Sequence, residues 1–587
     1  MSVEAAQPNR ARAGATRSSE AGVEATQPGE ARTEAARGGP LLVVDGLDVA
    51  FPGREPAVRG VSFTVSRGEC LAIVGESGSG KSVTARTLVG LTGGGARVSA
   101  RRLSFDGTDL TSLSEPRWRT IRGRRIGLVL QDALVSLDPL RTVGAEVAEA
   151  LRTHRVVPRG RIGERVVELL DDVGIPDPAR RARQYPHQLS GGLRQRGLIA
   201  SALAADPELL LADEPTTALD VTVQAQVLAL LGRLKDEGTA VLLISHDLAA
   251  VARLADRIAV MYAGSIVEQG PVGEVLTDPR HEYTRALLAA VPSAHAKGAR
   301  LSAGAAARKP VPTPAPVGKV LLEVAGIGKR FRAPDGAWHD AVRDVSFVVR
   351  AGETLGVVGE SGSGKTTAAR IVLGLEVPDT GSVRFADAPW SGVSEAVRRP
   401  SRGRIQAVQQ DPLGSFDPRY PVARILGEAV AAAGLPGGPF ARRTRAAHRA
   451  RVAELLGLVG LSADLLDRRP RDMSGGQRQR VAIARALAPS PELIVCDEPV
   501  SALDVSIQAQ ILDLLADLRA ELGLALLFIS HDLGVIRHVS DRILVMKDGA
   551  VVESGDAEQV FASPRAPYTR ELLAAVPAAA RGGVGVL

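Results

Sequence analysis

The residues best suited to chemistry are two lysines in glycine-rich settings. Gly75-Glu-Ser-Gly-Ser-Gly-Lys81-Ser82 follows an apolar run and opens a helical pattern, and Gly359-Glu-Ser-Gly-Ser-Gly-Lys365-Thr366 repeats it. Glycines at this spacing let backbone N–H groups converge on phosphate oxygens, and a helix N-terminus behind them adds positive potential. The expected cradle is Gly75, Ser77, Gly78 and Gly80, with Gly359, Ser361, Gly362 and Gly364 in the second copy. Lys81 and Lys365 would reach the outer phosphates, and the Ser82 and Thr366 hydroxyls would ligate Mg²⁺. A chance glycine-rich turn would explain one copy; two copies in one register argue against chance. The chain has only eight lysines among 72 basic residues, so two of them in such loops is informative.

Asp213-Glu214 and Asp497-Glu498 each close an apolar run, in LLLADE and LIVCDE. The first acid can orient Mg²⁺ and its waters, and the second can polarise water for in-line attack on a terminal phosphorus. Such a pair alone would serve equally well as a helix cap. Its place after a phosphate-cradling loop favours the catalytic reading.

These groups need a scaffold, and the scaffold is duplicated. LSGGLRQR at 189–196 recurs as MSGGQRQR at 473–480, and LLISHDL at 242–248 as LFISHDL at 527–533, in one register with the loops and acids. A repeat this long marks a duplicated domain rather than a short solenoid unit. The halves are expected at 41–292 and 319–577. Between them, 293–318 carries Pro310, Pro312, Pro314 and Pro316 and reads as a Pro/Ala-rich, semi-extended linker. Residues 1–40 are rich in Ala, Arg, Glu and Gly and read as a disordered tail, and 578–587 as a short flexible one. Within each half a β-rich portion precedes short apolar runs of buried-strand type: Cys70–Val74, Leu209–Ala212 and Val241–Ile244, then Thr354–Val358, Leu493–Cys496 and Leu526–Ile529. Helical patterns over Ser82–Leu91 and Thr366–Leu375 alternate with them. The implied class is α/β, a parallel sheet covered on both faces. Segments 140–188 and 421–472 read as an inserted helical subdomain in each half.

Composition closes off other classes. The 587 residues suffice for about four domain-sized units. Two cysteines, Cys70 and Cys496, exclude a disulfide framework and a four-cysteine metal site, and both read as buried, inert thiols. With 45% hydrophobic and 24% charged residues the chain reads as soluble and globular, without a run long enough for a membrane span or a signal peptide. The net charge of +6 comes from dispersed arginines, so nucleic acid is not expected as a partner. Arg-rich stretches at 117–125, 398–404 and 442–451 read as solvated faces.

On these motifs the chain resembles two ATP-binding-cassette ATPase domains fused in tandem, over nearly all of 41–577. The most specific segments are Ser190-Gly191-Gly192 and Ser474-Gly475-Gly476, which resemble the signature sequence of that family. The resemblance implies two P-loop NTPase (RecA-like) domains, each with a helical subdomain and an N-terminal antiparallel β portion. It also implies an intramolecular dimer with each ATP between one phosphate loop and the opposite signature. One site would combine Lys81, Ser82, Gln131, Asp213, Glu214 and His246 with Ser474–Gly476. The other would combine Lys365, Thr366, Gln410, Asp497, Glu498 and His531 with Ser190–Gly192. Glu214 and Glu498 would be general bases, and His246 and His531 would contact the γ-phosphate. Ser82, Gln131, Asp213, Thr366, Gln410 and Asp497 would serve Mg²⁺, the glutamines also sensing a permease. Asp220 and Asp504 would lie in loops crossing the dimer interface. Phe51 and Phe331 are the adenine-stacking candidates, with core packing as the alternative for each and Trp338 a rival in the second half. Leu193 stands where the second half has Gln477, Met473 replaces a leucine, and Gln131-Asp132-Ala133 contrasts with Gln410-Asp411-Pro412. None of these differences removes a group expected on phosphate or metal, so both sites are expected to hydrolyse ATP.

Two further pairs narrow the family. His281-Glu-Tyr-Thr-Arg-Ala-Leu-Leu-Ala-Ala-Val-Pro292 ends one half and Ala566-Pro-Tyr-Thr-Arg-Glu-Leu-Leu-Ala-Ala-Val-Pro577 the other, and Ser136-Leu-Asp-Pro139 matches Ser415-Phe-Asp-Pro418. These resemble the ATPase subunits of oligopeptide/dipeptide importers, a group that also serves nickel and glutathione, although Glu282 stands where proline is usual. The resemblance implies a motor on the cytoplasmic face of the membrane, two separate transmembrane permease subunits and, indirectly, an extracytoplasmic solute-binding protein. The rival readings are a soluble tandem-cassette translation or ribosome factor, which would carry a long charged helical linker, and an exporter ATPase, against which the terminal tyrosine segments speak. DNA-repair cassettes would need inserted zinc or coiled-coil modules.

Overall fold

Strands buried on both faces need unbroken apolar sequence, because both sides of the pleat meet core. In the computed structural model, Cys70–Val74, Leu209–Asp213 and Ala240–Ile244 are such strands, buried throughout. The model describes residues 39–130, 136–216, 219–292, 295, 297–302, 317–332, 336, 338–433, 442–501 and 503–574, the side chains of 442–447 excepted. The tail expectations for 1–40 and 578–587 thus fall outside the described residues, apart from Gly39 and Pro40.

The first parallel sheet runs in the order Ser265–Pro271, Arg257–Tyr262, Cys70–Val74, Ala240–Ile244, Leu209–Asp213, Ile126–Val129. All neighbours are parallel except the edge pair Arg257–Tyr262 and Ser265–Pro271. The second half repeats this with Ala550–Asp556, Arg542–Lys547, Thr354–Val358, Ala525–Ile529, Leu493–Asp497 and Ile405–Val408. In both sheets the histidine-bearing strand lies next to the loop-bearing strand and the acid-bearing strand one place further out, so all three C-terminal ends share one edge. That edge is where open α/β sheets bind ligands.

Each half also has an antiparallel sheet. Leu42–Ala50 pairs with Val58–Val65, Arg97–Ser99 and Arg102–Phe105, and Val320–Arg332 pairs with Trp338–Arg350 and Thr380–Phe385. One face of the first parallel sheet (Leu71, Ile73, Leu209, Leu211, Leu242, Ile244) shares a core with the antiparallel sheet (Leu42, Val44, Leu47, Phe105). The other face packs toward the helices. Val143–Thr153, Ile162–Asp172 and Gly191–Leu203 form the helical subdomain of the first half, and Val422–Ala432, Arg442–Leu458 and Gly475–Leu487 that of the second.

Two local outcomes differ from the sequence expectation. The loop-following helices stop at Leu88 and Val372, three residues early in each half. Gly90 and Gly374 take φ of 63° and 65°, and Leu91 and Leu375 N–H groups bond back to Arg86 and Arg370 carbonyls at 2.8 Å. Such a left-handed glycine closes a helix by satisfying its last carbonyls. In addition, the head of the expected linker is docked. Leu301 is buried in the second-half core, the Leu301 and Ser302 N–H groups donate to Asp513, and Arg300 pairs with Asp517 at 2.5 Å.

The Arg-rich stretches at 117–125 and 398–404 cover aromatic rings. Arg122 lies over Trp118 and Arg125 over Phe105, at 5.2 and 4.9 Å. Arg402 lies over Trp390 and Arg404 over Phe385, at 5.3 and 5.1 Å. Glu115, Glu208, Glu395 and Glu492 pair with the same four arginines.

Candidate functional site

Each loop is shaped by glycines that nothing else could replace. Gly75 and Gly359 take φ of 149° and 156°, and a Cβ there would lie 2.1 Å from the Met261 or Met546 carbonyl oxygen. Gly80 and Gly364, at φ 103° and 96°, would place one 2.4 and 2.3 Å from the Ala57 and Ala341 carbonyl oxygens. The loop therefore wraps tightly enough for Lys81 Nζ to reach the Gly75 and Glu76 carbonyls at 2.7 and 2.8 Å, and Lys365 Nζ those of Gly359 and Glu360 at 2.7 Å each. Burial pushes both ammonium groups down; the surrounding acids, Asp504, Glu214 and Asp213 around Lys81, oppose that. Ser77, Gly78, Ser361 and Gly362 are exposed, and the Ser77 N–H is engaged by Asp504 of the other half.

Each acid pair lies beside its loop. Ser82 Oγ donates to Asp213 Oδ1 at 3.0 Å, and Thr366 Oγ1 to Asp497 Oδ1 at 3.4 Å. Burial, reinforced by Glu214 or Glu498, raises both aspartates. Asp213 Oδ2 is buried with no hydrogen-bond partner. A hydroxyl beside a carboxylate with an unsatisfied buried oxygen is a donor set for a hard cation. Among the described residues no group of three or more His, Cys, Asp or Glu could enclose a metal.

Glu214 and Glu498 sit one residue past their strands at φ 50° and 49°, a conformation rare for residues with a side chain. Their N–H groups bond the Ile244 and Ile529 carbonyls of the next strand at 2.9 Å. Strain of this kind clusters at functional sites. His246 Nδ1 lies 3.3 Å from Glu214 Oε1, and His531 Nδ1 3.2 Å from Glu498 Oε1. Burial would lower each imidazole, but the bond and charge of its glutamate outweigh this and hold it above the usual histidine value. Glu498 is correspondingly held low, burial notwithstanding. Gln410 Nε2 donates to Glu498 Oε2 at 2.9 Å. Gln131 lies outside the described residues.

The two halves meet at these loops. Ser77 N–H donates to Asp504 Oδ1 at 2.7 Å, Ser506 Oγ bonds the Glu76 carboxylate, and Thr222 Oγ1 donates to Glu360 Oε1 at 2.8 Å. A cavity of about 430 Å³ over the second loop is lined by Ser361, Gly362, Gly364, Lys365, Thr366, Gln410, Glu498, His531 and Phe331, with Leu219 and Asp220 from the first half. Phe331 lines it and Trp338 does not. Phe51 is half-buried against the antiparallel-sheet core. The signature residues Ser190, Gly191 and Gly192 do not line this cavity; Ser190 and Ser474 are exposed and cap their own helices through the N–H groups of Leu193 and Gln477, at 3.4 and 3.2 Å. The structure thus brings loops, acids, histidines and the opposite aspartate loop together, and leaves the signature serines facing solvent.

Sequence reasoning overlooked one pair of contacts. Tyr283 Oη accepts from Glu76 N–H and Tyr568 Oη from Glu360 N–H, both at 3.1 Å. The duplicated terminal segments were the available signal, but nothing in sequence spacing places them beside the loops.

Comparison with known proteins agrees with this geometry. Residues 58–217 and 342–501 match the ABC transporter family, and 267–321 and 552–583 match the oligopeptide/dipeptide transporter C-terminal region. The peptidoglycan transport ATP-binding protein YejF of Agrobacterium fabrum is 45% identical, covering 91% of this chain and 96% of its own. The oligopeptide transport ATP-binding protein OppD of Mycobacterium tuberculosis is 43% identical, over 92% and 98%. The glutathione import ATP-binding protein GsiA of Salmonella paratyphi A is 43% identical, over 92% and 90%. Among solved structures, RNase-L Inhibitor aligns with 88% of this chain and 92% of its own at a TM-score of 0.55, and at 21% identity that shows the tandem fold alone. The chain is a tandem member of the ATP-binding-cassette ATPase family and carries the C-terminal region of oligopeptide/dipeptide transporters in both halves.

Proposed function

We propose that this ATPase is the motor subunit of an importer for peptides or related small solutes, working on separate permease subunits from the cytoplasmic face of the membrane. The observation that carries the reading is the pairing of two complete loop–acid–histidine sets with an oligopeptide-type C-terminal region in each half. No helix among the described residues is long and apolar enough to cross a membrane, so the reading assigns the channel to other chains. A solute-binding protein outside the membrane would deliver cargo to that channel.

In this reading each phosphate loop binds ATP through its backbone N–H groups and its lysine. Ser82 with Asp213, and Thr366 with Asp497, would hold Mg²⁺, aided by Gln131 and Gln410. The ion would neutralise charge developing on the β- and γ-phosphate oxygens. Glu214 and Glu498 accept the proton of the attacking water. His246 and His531, oriented through Nδ1 by these glutamates, present Nε2 to the γ-phosphate. Phe331 stacks on adenine, and Phe51 is the corresponding aromatic of the first half. The exposed Ser190–Gly192 and Ser474–Gly476 close over the opposite nucleotide, so that binding shifts an open-to-closed equilibrium and drives the permease. The proposed boundaries remain 41–292 and 319–577, with docking of 297–302 tying the connection to the second cassette.

The test is uptake of labelled di- and oligopeptides, glutathione and nickel by cells with and without the gene, alongside co-purification. Loss of uptake of one solute, restored by the wild-type chain and not by Glu498→Gln, supports the reading. Unchanged uptake of every solute, with the chain sedimenting with ribosomes rather than permease, sinks it.

A further inference from the structure

The C-terminal helices of the two halves lie at the seam between cassettes. Glu282–Ala289 packs against Val505–Leu522 of the other half. Tyr568, Glu571 and Leu572 of Pro567–Ala574 share a cavity wall with Thr222, Ala225 and Gln226 of Val221–Asp236. Each helix is anchored by the same device. Glu268 accepts from the Arg280 and His281 N–H groups at 2.7 and 3.1 Å, and Glu553 from those of Arg565 and Ala566 at 2.8 and 3.0 Å. The anchor aims one tyrosine hydroxyl at the second residue of its own phosphate loop.

That residue is itself a bridge. Glu76 gives its N–H to Tyr283, while its carboxylate accepts from Ser506 of the opposite cassette. Glu360 gives its N–H to Tyr568, while its carboxylate accepts from Thr222 of the opposite cassette at 2.8 Å. The neighbouring Ser77 N–H reaches Asp504 across the seam. A part-buried backbone N–H needs a partner, and here the tyrosine hydroxyl supplies it. Burial pushes both tyrosines up to about 12, so each remains a neutral hydroxyl at any working pH. The rings are held differently: Tyr283 against Tyr262 at 4.3 Å between centroids, Tyr568 under Lys547 Nζ at 4.4 Å.

We propose that Tyr283 and Tyr568 are positioning residues for nucleotide binding: each hydroxyl holds its phosphate loop in the orientation in which Glu76 or Glu360 engages the opposite cassette. The oligopeptide-type C-terminal region thereby becomes a brace for the ATP sites. The proposal rests on the ATPase reading and deepens it.

The experiment measures ATP affinity on the full chain with a fluorescent ATP analogue, steady-state KM and kcat, and Tm. Tyr283→Phe with Tyr568→Phe keeps the rings and removes the hydroxyls. It should weaken nucleotide affinity about fivefold or more, the cost of leaving N–H groups unpaired, with Tm nearly unchanged. Leu287→Ala and Leu572→Ala loosen the same helices but keep both hydroxyls, so they should lower Tm more, and weaken affinity less, than the phenylalanine pair. Ser506→Ala combined with Tyr283→Phe should cost less than the sum of the two, because both act through Glu76. Wild-type affinity in the double phenylalanine variant, or affinity that merely tracks Tm across all the variants, overturns the proposal. A Glu498→Gln variant hydrolysing ATP at the wild-type rate would count against the ATPase reading instead and would leave the affinity comparison standing.

Discussion

The two phosphate loops are nearly identical in sequence, yet they engage the opposite cassette through different atoms. At the first loop, Asp504 spends its carboxylate on Ser77 N–H and makes no side-chain cap on the helix it precedes. At the second, Asp220 caps its own helix through Val223 N–H at 2.9 Å and only lines the cavity. The signature helices differ as well. Ser474 and Gln477 cap each other's backbone reciprocally, whereas Leu193 leaves Ser190 with a single bond. One set of motifs therefore supports two contact patterns, and the difference reaches the Ser77 N–H and the signature serines, which are themselves expected on phosphate.

The largest expected effect tests whether the halves are equivalent in chemistry. Glu214→Gln and Glu498→Gln should each lower steady-state ATPase about 10²-fold or more, since each removes a proposed general base. If Glu214→Gln alone did so, the second site would be a regulatory one. A smaller effect separates the two crossing loops. Asp504→Ala should lower KM for ATP by up to about fivefold, because it frees the Ser77 N–H for phosphate and removes a carboxylate from beside Lys81. Asp220→Ala should instead cost about 1 kcal/mol of stability through the lost cap, seen as a lower Tm with little change in KM.

The histidine pair offers a pH-resolved comparison. His531 is raised and Glu498 lowered in the folded protein. The stability from the raised imidazole is complete below the ordinary histidine value and fades as pH rises through the raised one. The Tm gap between wild type and Glu498→Gln should accordingly narrow from neutral to alkaline pH. By NMR titration His531 should move down in that variant, because burial then acts with less opposition. The smallest effect is at the signature. Leu193→Gln should complete the capping box and add a few tenths of a kcal/mol, up to about 1 kcal/mol, readable as a small rise in Tm.

Much of each site was legible because its groups lie on local motifs. Gly75–Ser82, Asp213-Glu214 and His246 each sit at a strand end, and strands with unbroken apolar sequence announce themselves. What escaped were contacts between distant elements. Tyr283 was readable as a mark of subfamily but not as a partner of Glu76, and Ser506 and Thr222 carried no signal at all. The choice between Phe331 and Trp338 was also open, since both lie in one antiparallel pair and only the cavity separates them. The early helix ends at Leu88 and Val372 were missed because a left-handed glycine overrode an apolar pattern that continued past it.

The duplication, the strand–loop–helix units and the chemistry each can do follow from the residues alone, because spacing within a motif is enforced by the backbone it folds into. Only the tertiary structure decided how the halves meet: that Asp504 and not Asp220 reaches a loop N–H, that the C-terminal tyrosines brace those loops, and that the signature serines face solvent. Such contacts join residues far apart in the chain. They depend on where two cores come to rest against each other, and no local spacing encodes that.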